Sequence, residues 1–189
     1  MYSKIIGIML FGMLLSLPGC SSSTTALQSF TRENANIELI QKVAVLPFEG
    51  GGRASRIREF TMTQLLATGV FDLVDKGRVD VFLQQEAIGP GAPIDVFTIR
   101  RLGESLKVEA ILLGSVEQIS EARGSSNFSD IIMTLRLIEC ESGELLWQAS
   151  GKGSGYSLAD RLFGFAPKDV FEVTLELLDD LFATMHTGN

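Results

Sequence analysis

The opening residues decide how much of the chain is left to fold and in which compartment it does so. After Met1-Tyr2-Ser3-Lys4 comes an uncharged, apolar run from Ile5 to Leu15. A membrane-spanning helix needs about 20 apolar residues. Here Ser16, Pro18 and the polar stretch Ser21-Ser22-Ser23-Thr24-Thr25 end the run too early. A short basic start, an apolar centre and a small residue ahead of a polar segment form an export signal that is cut away. A cut before Cys20 leaves 189 − 19 = 170 residues, which suits a single domain with a proper core.

The residues at the cut are specific. Leu17-Pro18-Gly19-Cys20 resembles the lipobox of bacterial lipoproteins, with an aliphatic residue three before the cysteine and a small one just before it. A thiolate is the nucleophile that such chemistry needs, and a small Gly19 lets a peptidase reach the bond. The resemblance implies that Cys20 carries a diacylglyceryl thioether and further acyl chains such as palmitate. Each buried methylene contributes about 0.8 kcal/mol, so two or three chains hold a protein firmly where one does not. Ser21, rather than Asp, follows the cysteine; by the sorting habit of enterobacterial lipoproteins this implies the outer membrane, facing the periplasm.

Charge and cysteine content narrow the partners. Only Lys4 of the 16 basic residues lies in the leader, so the mature chain carries 15 against 23 acidic ones, a balance of −8. That argues against nucleic acid. With Cys20 acylated, Cys140 has no partner for a disulfide and reads as a small core residue.

Along the mature chain, residues 20–36 are polar and without a sustained period, and read as a lipidated, flexible tether. The folded domain is expected over 37–185, with 186–189 as a tail. Val43-Ala44-Val45-Leu46-Pro47-Phe48 suits a buried strand. Ile57, Phe60, Leu65 and Leu66 recur at helical spacing over 55–68, ahead of Gly69. A short strand over 71–75 and a helix over 78–85 follow. A third helix runs from an Asp95 cap through Ile99, Leu102 and Leu106. Strands are expected over 110–116, 131–138 and 145–149, the last two joined by the turn Glu141-Ser142-Gly143. Val170, Val173, Leu177, Leu178, Leu181 and Phe182 mark a C-terminal amphipathic helix over 168–185. The order implies an α/β sandwich with a mixed sheet, three helices in the first half and a fourth at the C-terminus.

Taken together, Val43 to Phe48, Thr68-Gly69-Val70-Phe71-Asp72-Leu73-Val74-Asp75, Leu102-Gly103 through Ala110 to Val116, and Glu141-Ser142-Gly143-Glu144-Leu145-Leu146-Trp147 resemble the CsgG-like curli assembly lipoproteins. The same core is similar to the amino-terminal domain of TolB and to the lipoprotein activators of peptidoglycan synthases. The resemblance implies a periplasm-facing α/β domain that assembles into a ring. In the curli channel, long hairpins inserted after two of the strands build a barrel. A membrane-spanning strand needs about 9 to 11 residues, and neither 120–129 nor 151–167 has room for such a hairpin. The expectation is therefore a domain without pore hairpins.

No catalytic constellation stands out. His186 is the only histidine and lies three residues from the end of the sequence, a poor place for a positioned base. Glu49-Gly50-Gly51-Gly52-Arg53 lacks the Lys and Ser/Thr of a phosphate loop and reads as a turn. Asp72, Asp75 and Asp80 read as solvated or capping positions. No cofactor or metal set is expected. Phe163 and Phe165, in Phe163-Gly164-Phe165-Ala166-Pro167, are candidate partner contacts, with burial against the C-terminal helix as the alternative. The expected role is a non-catalytic, outer-membrane lipoprotein that scaffolds envelope proteins of an export or surface-appendage system, and that assembles with copies of itself. The alternatives are an activator of a peptidoglycan synthase and, from another class, a hydrolase with an unrecognised site.

Overall fold

The computed structural model describes residues 26–89, 91–120, 129–156, 162 and 166–185. In chain order the elements are β1 (Ala26–Thr31), a single 3-10 turn (Ile37–Leu39), β2 (Lys42–Val45), α1 (Ala54–Thr68), β3 (Asp72–Leu73), α2 (Lys76–Gln85), α3 (Val96–Leu106), β4 (Ala110–Ser120), β5 (Asp130–Glu139), β6 (Leu145–Ser154) and α4 (Val170–Ala183). The strands form one mixed sheet in the order β1-β6-β5-β4-β2-β3. The α/β class, the mixed sheet and the four helices follow the expectation from sequence.

Crossover chirality explains the layers. Strand β2 pairs in parallel with β3 on one side and with β4 on the other. Parallel crossovers are right-handed, so steps in opposite directions along the sheet put their helices on opposite faces. Helix α1, between β2 and β3, shares a core with α4: Ile57 and Leu65 meet Val45, Leu112, Leu135, Trp147, Leu177, Leu178 and Leu181. Helices α2 and α3, between β3 and β4, build a second core on the other face from Val79, Phe82, Leu83, Ile99, Leu102 and Leu106 over Ala44, Leu46 and Ile111. From β4 onward the chain turns back on itself, and β5 and β6 are antiparallel neighbours.

Local chemistry sets the helix ends. Asp75 accepts from the Gly77 N–H at 2.9 Å and Asp95 from the Thr98 N–H at 2.8 Å. Asp169 accepts from Phe171 and Glu172 N–H while Glu172 reaches back to the Asp169 N–H, a complete capping box. Gly69 ends α1 at φ 65°, a left-handed conformation that glycine adopts without strain. These caps satisfy backbone groups that a helix cannot pair internally.

The structure corrects three boundaries. The domain begins before Ile37: residues 26–31, expected within the tether, form an edge strand antiparallel to β6. That segment carries no alternating signal because an edge strand buries little, and among its six residues only Leu27 and Thr31 are partly buried. The strand expected over 71–75 shrinks to Asp72–Leu73. Strand β6 continues past Ala149 through Gly151 and Gly153 to Ser154. Those glycines look like loop residues, but a Cβ on Gly151 would lie 2.7 Å from Leu177 Cδ1 and one on Gly153 2.9 Å from Val173 Cγ1. Helix α4 occupies the space that side chains would fill.

Candidate functional site

The two faces of the sheet are covered unequally. On the α1/α4 side, β5 and β6 bury Ile131, Met133, Leu135, Leu137, Trp147 and Ala149. Strand residues alternate in direction, so the intervening positions point the other way. The registers bring Ile132 beside Lys152, Thr134 beside Ser150 and Arg136 beside Gln148. They also set Ala26, Gln28 and Phe30 of β1 against Lys152, Ser150 and Gln148. Among the described residues no helix covers this part of the sheet, because the α2/α3 core reaches only as far as Ile138 and Cys140.

This surface is polar with apolar inlays. Thr134 and Ser150 hydroxyls share a hydrogen bond of 2.8 Å, Lys152 lies 3.7 Å from Asp130, and Phe30 remains 52% exposed. The first strand, which sequence reading left in the tether, supplies one flank. The signal that could have revealed the surface is the regular placement of Thr134 and Arg136 between buried neighbours.

Two recesses lie elsewhere on the domain, the first of them meeting this surface at Arg136. One, of about 390 Å³, lies past the carboxyl end of β2 beside the first half of β4 and is lined by Leu46, Pro47, Ile94 and Leu113 with Glu49 and Arg136. The other, of about 840 Å³, lies near the amino end of β4, where Glu104, Glu109, Glu139 and Glu141 gather around Cys140. Glu109 there accepts from the Lys42 N–H at 2.6 Å and the Gln41 N–H at 3.2 Å, so it ties β2 to β4. Burial, aided by the Glu109 and Glu139 charges, pushes the Cys140 thiol up to about 12, so the neutral thiol is favoured over the thiolate. Among the described residues no three His, Cys, Asp or Glu side chains converge as a metal set would.

The buried cation is structural. Arg58 is 4% exposed; its Nε and Nη2 donate to the Val45 carbonyl at 3.1 and 2.7 Å, and Nη1 donates to Asp80 at 2.7 Å. It satisfies a carbonyl at the end of β2 where strand pairing stops. Asp75 caps α2 as expected, Asp80 pairs with Arg58, and the Gly50 to Gly52 loop turns the chain into α1. Cys20, Phe163, Phe165 and His186 lie outside the described residues. Leu162, which is described, is 81% exposed. No described helix is long and apolar enough to cross a membrane.

No protein-family model matches the chain, and no curated protein does. The fold has relatives among solved structures. The PelC dodecamer from Paraburkholderia phytofirmans matches with a TM-score of 0.57 at 14% identity, over 85% of this chain and 96% of that one. A variant PelC dodecamer from the same organism matches with a TM-score of 0.58 at 17% identity, over 85% and 98%. Lipoprotein GNA1162 from Neisseria meningitidis matches with a TM-score of 0.51 at 12% identity, over 79% and 99%. Each relative is covered over nearly its whole length, so the likeness is one of complete domains, and what is shared at these identities is the fold.

Proposed function

We propose that this protein is a non-catalytic lipoprotein of the outer membrane, facing the periplasm, that scaffolds an envelope assembly through the helix-free part of its sheet. The observation that carries the reading is that surface itself: a β platform that no described helix covers, in a fold whose other sheet faces carry helices. Exposed, polar-rimmed platforms with aromatic inlays suit protein recognition.

The position of β1 adds a constraint. Cys20 precedes Ala26 by 26 − 20 = 6 residues, and a fully extended chain of that length spans about 20 Å. A lipid on Cys20 therefore holds the domain against its membrane. That favours a scaffold that acts at the membrane surface. Likeness to a dodecameric fold and to a lipoprotein fold supports assembly and anchoring in the same direction. The finer reading, a CsgG-like component of curli-type export, rests on the sequence phrases that carry that resemblance. The connection between β4 and β5, residues 121–129, is too short for two membrane-spanning strands of about 9 residues each, so this connection supplies no pore hairpin. Phe163 and Phe165 are assigned here to partner contact.

The test is anchoring and capture together. Wild-type protein should take up labelled palmitate, stay with the outer membrane and bring envelope proteins down on affinity capture. Cys20→Ala should release a folded, soluble domain. A Cys20→Ala protein that stays in the membrane fraction would show a second anchor and overturn this reading.

A further inference from the structure

Strand β1 ends one side of the sheet, and among the described residues no strand pairs with its outer edge. One hydrogen bond sets the phase of that edge. The Arg32 N–H donates to the Leu146 carbonyl at 2.9 Å, so in the antiparallel ladder the even-numbered residues of β1 turn their backbone groups toward β6. Leu27, Ser29 and Thr31 then turn theirs outward. The bond from Gly155 N–H to the Ser129 carbonyl, on the other side of β6, has the phase this requires.

The edge is unguarded. Proteins block such edges with lysine, proline, bulges or very short strands. Strand β1 is Ala-Leu-Gln-Ser-Phe-Thr, with no charge and no proline, and its register against β6 runs without a shift. The opposite edge shows the usual defence, since β3 is only two residues long and begins with Asp72.

We propose that β1 pairs with the β1 of a second copy, antiparallel, about a two-fold axis normal to the sheet and centred on Ser29. This register sets Leu27 opposite Thr31 of the second copy, Ser29 opposite its own counterpart, and Thr31 opposite Leu27, all as hydrogen-bonded pairs. Every outward backbone group of these residues is then satisfied. Gln28 meets Phe30 of the second copy on the helix-free side, so the two platforms join into one continuous surface. A normal two-fold axis also places both Ala26 residues at equal depth, which lets both lipids enter one leaflet.

The occupant follows from the edges available. Head-to-tail extension of the sheet needs the β3 edge, whose two residues cannot match six. Self-pairing places no like charges opposite one another. A loose peptide would make the same hydrogen bonds but must be ordered first, whereas β1 is already held along its length by β6. The pairing buries less than the roughly 1,200 Å² of a standard interface, so it is weak in solution; two lipid-anchored copies meet at an effective concentration of about millimolar. The strength of the pair, not its geometry, rests on the anchoring proposed above.

Disulfide trapping tests the register in the full-length, lipidated protein, in native membranes under mild oxidation. A hydrogen-bonded antiparallel pair has Cα atoms about 5.5 Å apart, inside the range a disulfide spans. Cys140 is buried and stays out of the reaction. Ser29→Cys should give disulfide-linked dimer with about tenfold the yield of Gln28→Cys, whose copies are offset by two residues and fall outside disulfide reach. Copies carrying Gln28→Cys mixed with copies carrying Phe30→Cys should link to each other. Equal yields at Ser29→Cys and Gln28→Cys, no linkage at either with unchanged melting temperatures, or linkage of Ser29→Cys to a different polypeptide would overturn the proposal. Palmitate labelling of the same membranes reads the anchor separately. If label is absent, the trapping is repeated on the unlipidated chain at millimolar concentration, where dimer at Ser29→Cys supports the edge and its absence overturns it.

Discussion

The two ends of the sheet solve different problems. Around β2 and the start of β4, helices cover both faces, and the strands bury nearly every residue: Val43, Ala44, Val45, Ala110, Ile111 and Leu112 are at most 1% exposed. Around β5 and β6, helices cover one face only, and burial alternates residue by residue along β5. Parallel strands sandwiched between helices have to be apolar throughout, whereas antiparallel strands can face water on one side. The comparison teaches that stability is concentrated in the doubly covered half and along the α4 face, while no described helix covers the other face of β5, β6 and β1.

Substitutions separate the two roles. The largest loss is expected at Trp147→Ala. Its side chain is fully buried, donates to Thr184 Oγ1 at 2.9 Å and sits 6.4 Å from the Phe182 ring. Truncation should cost about 3–5 kcal/mol, read by urea unfolding. Next, Gly151→Val, which forces a side chain against Leu177, should cost about 1–3 kcal/mol by overpacking. No loss at Gly151→Val would mean that α4 is not seated on β6.

Cys140 gives a smaller, pH-dependent effect. Its thiol stays protonated in the folded chain up to about 12 against an ordinary value of 9.0, because burial disfavours the thiolate. Between those values the unfolded chain binds fewer protons than the folded one, so stability falls as pH rises. Wild type should lose more stability than Cys140→Ala between pH 9 and the upper limit of the window, by comparative melting; parallel curves would contradict the assignment. The smallest effects belong to the open face. Gln148→Ser and Thr134→Val should shift stability within about 0.5 kcal/mol yet reduce capture of envelope partners. The pair Phe163→Ser and Phe165→Ser should behave likewise if those rings are contacts, and a large stability loss would instead place them in the core.

Much of this division is legible in sequence. The continuous apolar run at Val43 to Leu46, the Asp95 and Gly69 helix boundaries, and the spacing of Val173, Leu177 and Leu181 follow directly from burial and capping. Two features are not legible, for a common reason: their partners are distant in the chain. Strand β1 has weak patterning because β6 supplies its only neighbour, and Gly151 and Gly153 read as breakers because the helix that fills their place arrives about twenty residues later. The site was legible only in part. Thr134 and Arg136 mark the open face, but Gln28, Phe30 and Lys152 join it only once β1 is placed. Cys20, Phe163 and Phe165 remain assignments made from sequence.

The central claim is that the open face, not the helical one, meets the envelope partner. A photoreactive residue at Gln148 or Lys152, compared in living cells with one at Val81, which is 52% exposed on α2, tests it most directly. Cross-linked adducts with envelope proteins are expected from Gln148 and Lys152 and none from Val81. Adducts from Val81 alone would contradict it.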